Sequence, residues 1–159
     1  MTVTVRPGAP ADAGLVMGFI RALAEYEKLS HAVAADEADI AAALFGPAPR
    51  AFAEIAEMNG EPAGFSLWFY TFSTFEGRHG IWLEDLFVQP QSRGRGAARA
   101  LLSSLAQRCV REGLARLEWA VLDWNAPAIA VYDRLGADAL DDWTIRRLTG
   151  SALGALAES

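Results

Sequence analysis

GIWLEDLFVQPQSRGRGAARA, residues Gly80 to Ala100, decides how this chain folds. It opens as an apolar run rich in Ile, Trp, Leu, Phe and Val, the composition of a buried strand. Gln89-Pro90 ends that strand, because proline has no N–H to give to a sheet ladder. Arg93-Gly94-Arg95-Gly96-Ala97-Ala98-Arg99 follows, and an amphipathic helix starts inside it. A strand, a glycine turn and a helix N-terminus in succession form an anion cradle: glycines let backbone N–H groups approach a phosphate, and the helix dipole favours its charge. Taken alone, RGRG also suits a solvated turn. Two carboxylates, Glu84 and Asp85, interrupt the apolar run. Ionised carboxylates in a covered strand are costly unless paired, so one of them either sits in a salt bridge or lines a working cleft.

Working outward, Thr2 to Arg6 alternates as an edge strand, and an amphipathic helix runs from Ala11 to about Leu29 with Asp12 as its expected cap. Its end, Glu25-Tyr26-Glu27, sets acids against the helix dipole, which marks either a solvated end or a tip with another use. A second helix opens at Asp36 and stops at Gly46-Pro47. Ala51 to Met58 and Ala63 to Thr74 read as strands joined by the hairpin signal Asn59-Gly60. Beyond the central strand come a helix from Ala97 to Glu112, closed by Gly113, and a buried strand from Leu117 to Leu122. A helix capped by Asn125 and ended by Gly136 follows, then a final strand over Asp141 to Leu148 and a fraying tail after Gly150. The order is β-α-α-β-β-β-α-β-α-β: an α/β (α+β) chain with helices on both faces of a mixed sheet.

At 159 residues, 52% hydrophobic and 21% charged, the chain is one globular domain, 1–159, that buries roughly two-thirds of its unfolded surface. The net charge of −6 argues against nucleic acid and favours cationic small molecules. One cysteine, Cys109, excludes an internal disulfide framework, and its apolar helix face with no neighbouring histidine makes it packing rather than a nucleophile. No apolar segment approaches the roughly 18 residues that span a bilayer, and the N-terminus has no secretory pattern, so a cytoplasmic protein is expected. His31 and His79 stand far apart without partnering cysteines, and no metal site is expected. A serine-nucleophile elbow and a P-loop Lys-Ser/Thr pair are missing.

Arg93-x-x-Gly96-x-Ala98 resembles the Q/R-x-x-G-x-G/A signature of the GNAT N-acetyltransferases, whose loop binds the pyrophosphate of acetyl-CoA. Three further stretches resemble the branch that acetylates spermidine, spermine or thialysine. They are Leu83 to Val88, Trp124-Asn125-Ala126-Pro127 with Tyr132 to Ala137, and Leu23 to Glu27. The resemblance covers nearly the whole chain. It implies a mostly antiparallel central sheet and acetyl-CoA as acetyl donor. It also implies a small cationic amine as acceptor and a homodimer, and charge and composition already predict no nucleic-acid or membrane partner. It implies Glu84 as the base and Tyr132 as the acid toward the leaving thiolate. It places the donor on Leu86, Phe87, Val88, Arg93, Gly94, Arg95, Gly96, Ala97, Ala98, Arg99, Asn125, Ala128 and Tyr132. It gives Tyr26, Glu27, Glu84 and Asp141 to the acceptor. The family's serine after the WNxP proline is Ala128 here, and with it a hydroxyl contact to the donor is lost. Acetylation of a protein or peptide amine, and acyl-CoA sensing without turnover, are the rival readings. The chemistry demands a base. An amine of pKa near 10.4 is neutral in about one molecule in 2,500 at neutral pH, a deficit of roughly 4.6 kcal/mol.

Overall fold

The apolar run becomes one strand of a five-stranded sheet in the computed structural model, which describes residues 2–159. The strands are β1 (Val3–Pro7), β2 (Phe52–Met58), β3 (Glu61–Ser73), β4 (Arg78–Val88) and β5 (Leu117–Trp119), in that spatial order. The first four pair antiparallel and β4 pairs parallel with β5, so the sheet is mixed and mostly antiparallel. Asn59 and Gly60, both at positive φ (55° and 82°), turn the β2–β3 hairpin as that dipeptide requires.

The helices are α1 (Ala13–Tyr26), α2 (Glu37–Phe45), α3 (Ala97–Glu112), α4 (Ala126–Arg134) and α5 (Gly150–Ala157). Asp36 caps α2 by accepting from the Asp39 amide at 3.0 Å, and Gly113 closes α3 at φ 67°. Asp12 does not cap α1. Its carboxylate accepts from the Ala9 amide at 2.7 Å and pairs with Arg6 at 2.7 Å, tying the entry of α1 to β1.

Adjacent residues of one strand serve opposite cores, as the period of two demands. Ile55 and Phe87 pack with Val16 and Phe19 of α1 and Leu44 of α2, whereas Ala56 and Val88 pack with Ala97 and Leu101 of α3. Helices therefore cover both faces of the sheet. Arg108 of α3 lies 4.9 Å over the Trp68 ring, and Glu112 of α3 accepts from the Tyr70 hydroxyl at 2.7 Å, holding the body of α3 against the sheet. Cys109 is buried in this layer, and burial pushes its thiol pKa up, which makes it inert.

Two compact units divide the chain, one reaching to Leu122 and the other running from Asp123 to Ser159. In the second unit Asn125 caps α4 as expected, accepting from the Ala128 amide at 3.4 Å. Three expectations fail toward the C-terminal end of the chain. Residues 120–122 are not strand, and the final strand over Asp141 to Leu148 does not form. Arg146 and Arg147 break its alternation, and a strand without a partner has no ladder to stabilise it. The tail expected to fray instead forms α5, whose Ala and Leu residues are strong helix formers. Among the described residues no helix is long and apolar enough to cross a membrane.

Candidate active site

Leu83 and Leu86 are three residues apart, yet both belong to the face that α3 covers. Leu83 pairs with Trp68, which lies under Arg108, and Leu86 packs against the Ala97–Leu101 cluster. A strand of period two can do this only by bulging. The ladder shifts there: Leu67 pairs with Asp85 and Trp68 with Leu83, leaving Glu84 as the extra residue. The bulge turns both carboxylates away from α3. Asp85 shares the face of its partner Leu67, which packs against the α1 core, and Glu84 accepts from Trp82 Nε1 at 2.8 Å.

The two acids differ in environment. Glu84 is exposed. Asp85 is largely buried, and its pKa is pushed up to about 6, first by desolvation and then by the charges of Glu84 and Glu27. Glu27 follows the last turn of α1, and burial raises its pKa too. The charges of Glu84 and Glu27 both act on Asp85, and Glu27 sits at the negative end of the α1 dipole, so this part of the surface favours a cation. The sequence names Glu84 as the base but overlooks the environment of Asp85. The signal was the odd spacing from Leu83 to Leu86.

Beyond the bulge β4 has an open edge. Its pairing with β5 covers only Ile81 to Leu83, so residues 84–88 have no strand on that side. The Gln89 amide donates to Ala63 O at 2.9 Å. In an antiparallel ladder the bonded pairs alternate, so Phe87 also turns its backbone toward β3, where Phe65 is its partner. Of the three strand residues that the resemblance gives to the donor, Leu86 and Val88 turn their backbones to the open edge and Phe87 does not. Phe87 contributes a ring to the core instead.

The strand then feeds the cradle. A short 3-10 turn at Pro90–Ser92 leads to Gly94 and Gly96, at φ 72° and 92°. Such backbone favours glycine, and a Cβ built at either position meets nothing within 4 Å. Gly96 is the N-cap of α3 and brings no side-chain cap, so the first-turn amides at Ala97, Ala98 and Arg99 open onto that space. Arg95 and Arg99 are exposed beside it. Uncapped amides, open volume and two cations fit a diphosphate. Arg93 is placed differently: its Nε donates to Val88 O at 3.0 Å, and its guanidinium carbon lies 4.9 Å from the Tyr26 ring centre.

The first unit therefore brings together Tyr26, Glu27, Glu84, Asp85, Arg93 and the cradle. Asn125, Ala128 and Tyr132 share α4 in the second unit, and Asp141 lies in the turn near residue 141 of that unit. Among the described residues no three His, Cys, Asp or Glu side chains form a metal-ligating group.

Comparison with known proteins agrees with this architecture. An integron cassette protein from the mobile metagenome of V. cholerae superposes with a TM-score of 0.82 at 24% identity, over 100% of this chain and 99% of that one. The thialysine N-epsilon-acetyltransferase of Bos taurus is 37% identical over 98% of this chain and 97% of its own length. Its Caenorhabditis elegans counterpart is 37% identical over 94% and 93%. The model of the acetyltransferase (GNAT) family matches residues 15–137, and with these full-length relatives it makes this chain an N-acetyltransferase of the GNAT family.

Proposed function

We propose that this enzyme moves the acetyl group of acetyl-CoA to a primary amine of a small cationic substrate, thialysine or a diamine of similar reach, within a ternary complex. The observation that carries this reading is Asp85. It is a carboxylate held near pKa 6 among other acids, on the strand whose end supplies the diphosphate cradle. The names of the 37%-identical relatives supply the amine class.

The chain's own groups divide the work. Glu27, with Tyr26 before it in the chain, attracts and holds the cationic substrate, and the family resemblance assigns Asp141 to the same task. The Glu84–Asp85 pair takes the ammonium proton: Glu84 is exposed to the arriving amine, and Asp85 has a pKa near the working pH, where general bases are most effective. The free amine then attacks the thioester carbonyl carbon, the C–S bond breaks, Tyr132 gives a proton to the departing thiolate, and the surplus proton on the new amide nitrogen passes through solvent to restore Tyr132. Amides at the α3 N-terminus and the open edge of β4 at Leu86 and Val88 hold the donor. The family resemblance assigns Asn125, the N-cap of α4, and Ala128 to the donor as well. No residue is acylated, so no activated cysteine is required. The match from residue 15 to 137 supports a single catalytic domain.

Glu84→Gln and Tyr132→Phe test these roles. Each is expected to lower kcat by about 100-fold with the fold retained, as loss of one proton-transfer group does. Steady-state thiol release with circular dichroism as the folding control measures both. Unchanged turnover in the two variants would remove the acid–base assignment.

A further inference from the structure

Arg93 bridges two elements that the reaction must bring into register. Its Nε is bonded to Val88 O at the end of β4, on the open edge, and its guanidinium carbon is 4.9 Å from the Tyr26 ring and 5.8 Å from the Phe87 ring. Tyr26 is the last residue of α1, directly before Glu27, whereas Arg93 directly precedes Gly94 of the cradle. One planar side chain thus spans from the donor loop to the acceptor wall. Lysine cannot replace it, because an ammonium lacks the flat face and the fixed Nε–H that serve both contacts at once.

We propose that Arg93 is a positioning residue that couples donor binding to the amine site: when the diphosphate orders the 94–99 loop, Arg93 holds Tyr26 and the end of α1 in place to receive the amine. This inference rests on the donor and acceptor assignments above. It gives the arginine a role toward the amine, separate from its charge toward phosphate. It also explains why the acceptor wall can be a helix end, an element that frays unless something holds it.

Hydrogen exchange reads the coupling without turnover. The amides of Glu27, Lys28 and Leu29 bond to the carbonyls of Leu23, Glu25 and Ala24, so their exchange reports opening of the helix end. Saturating acetyl-CoA is expected to protect residues 94–99 and also 27–29 in the wild type, but only 94–99 in Arg93→Lys. In steady state, Arg93→Lys raises the amine KM about tenfold with kcat within about twofold, and adds nothing further in a Tyr26→Leu background. Protection at 94–99 without any at 27–29 in the wild type overturns the inference alone. So does an amine KM that Arg93→Lys leaves unmoved, or one that it raises equally in the Tyr26→Leu background. No protection at 94–99 in the wild type overturns the donor site itself, and the inference with it.

Discussion

Asp85→Asn is expected to make the protein more stable and far less active. The folded state raises the Asp85 pKa from 3.8 to about 6, so it disfavours the charged form. A carboxylate shifted upward costs stability above its folded pKa and costs nothing below its unfolded one. Stability due to this group therefore falls as pH rises from about 4 to about 6 and stays reduced above that. The shift corresponds to roughly 3 kcal/mol, spread in part over Glu84 and Glu27, whose charges contribute to it. Asparagine keeps the shape and removes the charge. Its thermal midpoint at about pH 8 should rise by roughly 6 to 12 °C, and the difference from wild type should vanish by about pH 4. Turnover should fall by about 100-fold or more, and the acidic limb of the pH–rate profile near the folded pKa should disappear. A variant that is less stable than wild type at pH 8 would contradict the burial argument, and one that turns over normally would contradict the role.

Gly96→Val carries the second large effect. At φ 92° a β-branched side chain is strained by about 2 kcal/mol or more, and its Cβ would project into the open space in front of the first-turn amides of α3. Both consequences are separable. Gly113 closes the other end of the same helix at φ 67°, also with nothing within 4 Å of a built Cβ. Gly113→Val should lose similar stability in urea unfolding with the acetyl-CoA KM unchanged, whereas Gly96→Val should raise that KM by about 100-fold. Equal KM values in the two variants would show that the cradle does not hold the donor.

Much of this architecture was legible in the residues. The apolar run with its Pro90 stop, the Asn59-Gly60 turn, the Asp36 and Asn125 caps and the Gly113 closure are local signals, and each forms as its chemistry dictates. What escaped depends on partners distant in sequence. The bulge at Glu84 exists because β3 pairs across it, and it separates an exposed acid from a partly buried one that look equivalent in the sequence. The direction of the Phe87 backbone follows from the ladder with β3, not from its own composition. Arg93 reads as a phosphate ligand in the motif, and its contacts to Val88 and Tyr26 are an addition that the motif does not announce. The segment from Asp141 to Leu148 carries strand-forming residues, yet no strand forms without a neighbour to pair with.

Thiol release from acetyl-CoA by the wild-type enzyme, followed against thialysine, lysine, ornithine, short diamines, spermidine and a peptide with a free N-terminus, tests the central claim most directly. Release that saturates with thialysine or a diamine, is slower with the peptide by at least about tenfold in kcat/KM, and rises with pH through the range where Asp85 ionises is the predicted result. Release with the peptide alone, or none with any amine despite tight acetyl-CoA binding, would contradict it.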